Sequence, residues 1–257
     1  MRAFKGKVAL VTGGSAGLGA ATALQFAREG AKVVIAARRV DQSEAVLKQI
    51  EGLGAEGLFV RTDVGNASDI QAMVQATVAR FGRLDCAVNN AGIAGVLRTP
   101  IADVEEAQWD AVMNVNLKGV WLCMKHEIQA MLPHGAGAIV NVSSIYGLKG
   151  SDNGHAPYST SKFGVVGLTR SAAIDYGQSG LRINAVAPGF TRSEMVNPDV
   201  PGAPERHRIL AAKHSGMNRL GDAREIANAI TWLCSDAARF VNGAVLNVDG
   251  GETSRLY

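Results

Sequence analysis

The stretch that most limits what this chain can become runs from Lys7 to Gly19. Lys7 to Val11 reads as a buried strand. Thr12-Gly13-Gly14-Ser15-Ala16-Gly17-Leu18-Gly19 follows at once and opens a helical pattern from Ala20 to Glu29. A strand that passes through a glycine turn into a helix is the setting of a phosphate-binding loop. Glycines let the backbone turn tightly and approach a pyrophosphate, while free N–H groups and the positive end of the helix dipole face the anion. Glycine spacing alone is weak evidence; the strand before it and the helix after it give it weight.

The chain then keeps alternating. Lys32 to Ala37 is a second strand, and a helix to about Leu53 follows, opened by a capping box of Asp41 and Glu44. A third strand, Gly57 to Arg61, a helix from Ala67 to Phe81 and a fourth strand, Leu84 to Val88, come next. βαβαβαβ with short connections predicts an α/β protein built on a doubly wound parallel sheet, with helices on both faces. Helical segments from Glu105 to about Leu132, strands at Ala138 to Val142, Arg182 to Val186 and Ala244 to Val248, and helices after the fifth strand and at Arg224 to Cys234 bring the sheet to about seven strands. The segment 192–221 holds Pro198, Pro201 and Pro204 and a helix-like piece around Glu205 to His214. It reads as an insertion over the strand ends, a lid. With no repeat or linker in sight, residues 1–257 are expected to form one domain.

Composition removes several function classes. A net charge of +3 with both signs interspersed leaves no basic face for nucleic acid or a membrane surface. The opening MRAFKGKVALVTGG has no signal-peptide pattern and no apolar run is long enough to span a bilayer, so a cytoplasmic protein is expected. Three widely spaced cysteines, Cys86, Cys123 and Cys234, argue against a disulfide framework. The five histidines are scattered, so no metal site is expected.

The candidate chemistry lies at strand ends. Tyr158 is the tyrosine of this chain that has a lysine, Lys162, four residues later. On a helix that Pro157 helps to start, the two share a face. Proton transfer at a carbonyl or alcohol oxygen near neutral pH needs a phenol whose pKa is lowered by roughly two units, about 2.7 kcal/mol, and a lysine has the right sign to do it. Ser144, fourteen residues earlier at the end of the fifth strand, is placed to converge with Tyr158 on one oxygen atom. Where an acidic residue after the second strand would bond a ribose 2′-hydroxyl, this chain has Ala37, Arg38 and Arg39. A guanidinium fits a 2′-phosphate, with Arg38 the candidate and Arg39 expected in solvent. Asp63 either meets an adenine base or caps the following turn. Asn89-Asn90-Ala91-Gly92 allows close backbone approach and anchors neighbouring loops. Asn116, inside a helix, marks either a kink or a buried structural bond.

These pieces together resemble the short-chain dehydrogenase/reductase family, of the single-domain Rossmann-fold kind, along essentially the whole chain. The resemblance rests on T-G-x-x-x-G-x-G at Thr12 to Gly19, N-N-A-G at Asn89 to Gly92, Asn116, Ser144, Tyr158 with Lys162, and Pro188-Gly189. It implies a hydride transfer between a nicotinamide cofactor and a secondary alcohol or ketone, with Tyr158 as general acid and base and Ser144 bonded to the reacting oxygen. Lys162 would bind the nicotinamide ribose and lower the phenol's pKa, and Asn116 would hold a relay water. Gly13, Ser15, Gly17, Leu18 and Gly19 would contact phosphates and ribose, Asp63 and Val64 the adenine, and Asn90, Ala91 and Gly92 the ribose region. Pro188, Gly189 and Thr191 would meet the nicotinamide.

Two departures matter. Thr191 and Ser193 stand where many relatives have one threonine, which moves the carboxamide contact toward Ser193, and Ala16 replaces a basic residue common among users of the phosphorylated cofactor. NADP is therefore expected on the strength of Arg38, with NAD as the alternative. The resemblance also implies a homotetramer or homodimer. His155 and Tyr146 either touch the substrate or serve structure. A different class of function, a dinucleotide-binding redox sensor without turnover, would need the glycine loop but not Ser144, Tyr158 and Lys162.

Overall fold

The alternation of side chains along the first strand sorts the whole protein into layers. In β1, Val8–Thr12, Val8 and Leu10 point to one apolar cluster while Ala9 and Val11 point to another. In β2, Lys32–Ala37, Val34 and Ala36 join the first cluster and Val33 and Ile35 the second. A strand buried on both faces is the mark of a parallel sheet covered on both sides, and its near-continuous apolar run follows from that.

The computed structural model describes residues 2–151, 154–193 and 203–254. Its strands are β1, β2, β3 at Gly57–Arg61, β4 at Cys86–Asn89, β5 at Gly137–Val142, β6 at Leu181–Pro188 and β7 at Val245–Val248. They form a seven-stranded sheet in the order β3-β2-β1-β4-β5-β6-β7, every neighbouring pair parallel. Strand order reverses between β1 and β4, and the crevice outside the carboxyl ends at such a point is where α/β sheets bind ligands.

Helices α1, Gly17–Arg28, and α2, Val40–Gly52, cover one face, joined by the late helix Ala223–Cys234. The other face carries α3, Ala67–Phe81, then α4, Glu106–Met113, which runs through a π-helical segment, Asn114–Lys118, into α5, Gly119–Met131. It is completed by α6, Ala156–Tyr176. Between β6 and the late helix, which becomes α8, lies α7, Ala203–His214. No helix among the described residues is long and apolar enough to cross a membrane.

Two boundaries and one helix interior differ from the sequence reading for physical reasons. Helix α2 starts at Val40, with Arg39 as an extended N-cap and no side-chain cap. Asp41 is thus already inside the first turn, where it faces the positive end of the dipole but caps nothing, and the expected Asp41–Glu44 box does not form. Strand β4 begins at Cys86 rather than Leu84. Asp85, just before it, accepts a bond from Val8 N at 2.9 Å and two from Arg83 at 2.9 and 2.6 Å. The helix that contains Asn116 is interrupted by a π-turn, a feature that often accompanies functional sites. Of the expected 192–221 insertion, 194–202 lies outside the described residues.

Candidate active site

The glycine loop is built so that helix α1 opens without a side-chain cap and without an acidic residue in its first turn, which leaves its N–H groups and dipole for an outside anion. Gly13 and Gly17 have φ of 66° and 53°, backbone that only glycine adopts readily. Gly19 does a different job: a Cβ there would collide with the Gly13 carbonyl and stand 2.6 Å from Asn90 Nδ2. That amide donates to the carbonyls of Thr12 and Gly13 at 3.0 and 3.3 Å, and Asn90 N donates to Thr12 Oγ1 at 3.0 Å. The end of β4 thus holds the loop at the end of β1 in a fixed shape.

A cavity of about 1240 Å³ runs from this loop across the strand ends. Pockets for one small ligand span roughly 300–1,000 Å³, so this one has room for a dinucleotide and a second molecule. Gly13, Ser15, Gly17 and Leu18 line one end. Arg38, Asp63 and Val64 flank it, Asn90, Ala91 and Gly92 form its floor, and Pro188, Gly189, Thr191 and Ser193 the opposite wall. Ser144, Tyr158 and Lys162 stand at the far side. Of the residues expected at the site, Gly19 and Asn116 do not reach the cavity wall. Gly19 packs behind the loop, and Asn116 is fully buried.

The position of Asn116 follows from the π-turn, which turns its amide toward the loop after β4. Its Oδ1 accepts from Ile93 N and its Nδ2 donates to Ile93 O, both at 2.8 Å, with a longer bond to Ser161 Oγ at 3.3 Å. The two readings left open for this residue, a helix irregularity and a buried structural bond, are both present. A Cβ on Gly92 would lie 3.2 Å from Asn116 Oδ1 and 3.6 Å from Lys162 Nζ, so the glycine is what lets these groups approach.

Ser144 and Tyr158 do converge. Ser144 ends β5 in extended backbone and caps a short 3₁₀ turn, Ile145–Gly147, with its hydroxyl accepting from Tyr146 N at 3.2 Å. The Tyr158 phenol shares the cavity wall with that hydroxyl, which pulls the phenol's pKa down. Its neighbour Ser143 is occupied elsewhere, donating to the Lys162 carbonyl at 2.9 Å, and Gly147 lets that turn press against α6. Tyr158 also touches a run of edge-to-face rings, with Tyr146 and His155 5.7 Å apart and His155 and Tyr158 5.9 Å apart. Both Tyr146 and His155 line the cavity while packing on each other.

Burial opposes the lowering that the resemblance implies for the Tyr158 phenol. It raises the Tyr158 pKa above its ordinary value, the Ser144 hydroxyl pulls it down, and Tyr146 raises it further. Lys162 Nζ stands 5.6 Å from the centre of the phenol ring, over its face, and donates to the Val142 carbonyl at 2.8 Å. Burial lowers this ammonium to about 8. The i, i+4 spacing brings the side chains together, as a helix must, but it does not choose which atoms meet.

Two features escaped the sequence reading. Arg39, expected in solvent, donates to Ser15 Oγ at 3.2 Å and lines the cavity beside Arg38, whose Nη1 is 3.9 Å from Asp63 Oδ2. Asp63 also accepts from Gly65 N at 2.9 Å, the turn-capping role left open for it. Thr191 turns its hydroxyl onto the Gly189 carbonyl at 3.1 Å. Ser193 instead stands close to Gly17, across the cavity from β5.

A family model described as Enoyl-(Acyl carrier protein) reductase matches residues 13–253. Cis-4-hydroxycyclohexanecarboxylate dehydrogenase of Sinomonas cyclohexanicum is 44% identical over 252 residues, 98% of either chain. The crystal structure of levodione reductase aligns with a TM-score of 0.93 at 36% identity, covering 98% of this chain and 100% of that one. A short-chain type dehydrogenase/reductase from Mycobacterium marinum aligns with a TM-score of 0.92 at 31% identity over 99% of this chain and 98% of its own.

Proposed function

The chain belongs to the short-chain dehydrogenase/reductase family and is an oxidoreductase, and we propose that it moves a hydride between NADP and a secondary alcohol or ketone with Tyr158 as general acid and base. The observation that carries this reading is that Ser144, Tyr158 and Lys162 stand together on the wall of a cavity that continues to an uncapped helix N-terminus. A bound nicotinamide dinucleotide supplies the hydride donor or acceptor.

In reduction, Ser144 and Tyr158 both donate to the carbonyl oxygen, and the phenol passes its proton as negative charge develops there. Burial keeps the phenol protonated near neutral pH, the form this step requires. In oxidation the phenol must first lose its proton, and the phenolate oxygen then accepts the one the alcohol gives up. Lys162 binds the ribose next to the nicotinamide, and Asn116 holds the Ile93 loop that closes the floor. The loop from Gly13 to Leu18 binds the pyrophosphate. Arg38, whose contact to Asp63 is long and exposed, turns to the 2′-phosphate at little cost, and Arg39 stands beside it.

Residues 1–257 act as one domain in this reading, and 192–221 as its lid, with Ile209 and Leu210 of α7 already on the cavity wall. The dehydrogenase named for cis-4-hydroxycyclohexanecarboxylate supports a ring-borne secondary alcohol among the substrates. Phe163, Gly167, Arg170 and Ile174 recur at helical spacing on the outer side of α6, and Ile174 is 82% exposed. Such a stripe fits packing of α6 against a second copy in a homotetramer or homodimer.

Reduced-nicotinamide absorbance with NADP⁺ and NAD⁺ in parallel, against polyols, cyclic alcohols, steroids and hydroxyacyl esters, tests the reading. Tyr158→Phe should cost at least about a hundredfold in turnover while NADPH still binds. Undiminished turnover in that variant would remove Tyr158 from the mechanism.

A further inference from the structure

Away from the glycine loop the cavity wall is largely apolar, formed by Ile93, Ala94, Leu97, Ile145, Ile209 and Leu210. Two charged side chains interrupt it, Arg98 and Glu205. Glu205 is engaged by Arg208, which reaches its two oxygens at 2.9 and 2.7 Å. Arg98 has no hydrogen-bond or ion-pair partner among the described residues. The remaining cavity cations are committed: Arg38 faces Asp63, Arg39 donates to Ser15, and Lys162 donates to the Val142 carbonyl. Among the described residues, the half of the cavity left for a substrate therefore holds one uncompensated positive charge beside apolar side chains.

The backbone at Arg98 is also unusual. Its φ is 56°, a left-handed conformation that a long side chain rarely adopts, shared among described non-glycine residues by Asn218 alone. A strained residue persists where its surroundings over-determine it. Here the surroundings are Gly154, against which the Arg98–Thr99 peptide packs so closely that a Cβ would stand 2.9 Å from Arg98 C and 2.5 Å from Thr99 N. Thr99 N also donates to Gly154 O at 3.4 Å. Gly154 lies two residues before α6 begins and four before Tyr158. The arginine is thus tied to the segment that leads into the proton-donating helix.

Resting on the hydride-transfer reading above, we propose that Arg98 recognises an anionic group on the substrate, so that the alcohol or ketone taken by this site carries a carboxylate or a phosphate joined to its reacting carbon by an apolar body. A guanidinium presents a planar fork that matches either anion, and the apolar walls seat the body between that fork and the reacting carbon.

The test compares oxocycloalkane carboxylates with the corresponding carboxamides, and oxoalkyl phosphates with the corresponding free alcohols, using NADPH and the whole protein. Calorimetric binding of each compound in the presence of NADP⁺ is read alongside turnover. In the wild type the anion of a pair should bind more tightly than its neutral counterpart, and which pair shows this separates carboxylate from phosphate. Arg98→Asn removes the charge while keeping a residue that tolerates left-handed backbone, and Arg98→Lys keeps the charge.

For the preferred pair, Arg98→Asn should raise KM and weaken binding of the anion about 10- to 100-fold relative to the neutral compound, with Arg98→Lys in between. Equal binding of anion and neutral compound by the wild type in both pairs overturns the proposal. So does an Arg98→Asn variant that lowers both members of a pair equally. Tyr158→Phe separates this from the parent reading: activity on neutral ketones that depends on Tyr158, without any anion preference, retires the role of Arg98 and leaves the hydride transfer standing.

Discussion

Glu127 gives the sharpest prediction, because a carboxyl has been placed where no charge belongs. It sits on α5, fully buried, with Oε2 accepting from Asn89 Nδ2 at 3.0 Å and Oε1 meeting no hydrogen-bond partner among the described residues. Burial raises its pKa from an ordinary 4.5 to about 7, against the smaller opposing pull of Asn89. Folded Glu127 therefore holds its proton more tightly than the unfolded chain does. The resulting stabilisation is complete below pH 4.5 and is lost as pH rises through about 7. At about 1.4 kcal/mol per pH unit, the whole swing is about 3 kcal/mol. Glu127→Gln keeps the shape, cannot ionise, and retains a carbonyl oxygen able to accept from Asn89 Nδ2. Urea unfolding of both proteins between about pH 5 and about pH 9 should show near-equal stability at the acid end and the variant ahead by about 3 kcal/mol at the alkaline end. A gap that does not change with pH would refute the reasoning, because it would mean that Glu127 titrates alike in the folded and unfolded states.

Two further outcomes follow from the cofactor side of the cavity. Arg38→Ala should weaken NADPH about 10- to 100-fold, the loss of one charge-assisted contact, and NADH much less; equal losses in a fluorescence titration would show that Arg38 does not read the 2′-phosphate. Gly19→Ala must push a Cβ into the Gly13 carbonyl and Asn90, so it should cost about 1–3 kcal/mol in thermal unfolding and weaken both dinucleotides together; unchanged binding would mean that the loop shape is not fixed by that contact.

Much of the site could be read in the sequence because it depends on local rules. The glycine loop and the strands beside it need only apolar runs, turn residues and helix periodicity, and the bounds of β2, β3 and α3 coincide with the expected ones. Ser144 and Tyr158 were placed by the strand end and the helix start that carry them. The Asp41 cap failed by two residues, since a capping pattern signals a helix start but backbone geometry decides whether the signal falls on the N-cap or inside the first turn. Arg39 looked like an ordinary surface residue after a strand; its bond to Ser15 spans twenty-four residues and follows from β1 and β2 being neighbours.

What the sequence determined by itself was the succession of strands and helices, the glycine-rich loop and the candidate side chains for proton transfer, because each follows from short-range periodicity and spacing. The tertiary structure alone decided what those groups experience. Lys162 lies over the phenol's face and bonds the Val142 carbonyl, Glu127 in a Lys-His-Glu run is buried instead of solvated, and Arg98 stands without a counter-charge among the described residues. Desolvation and charge pairing depend on every element packed around a group, and those neighbours come from parts of the chain that no local pattern brings together.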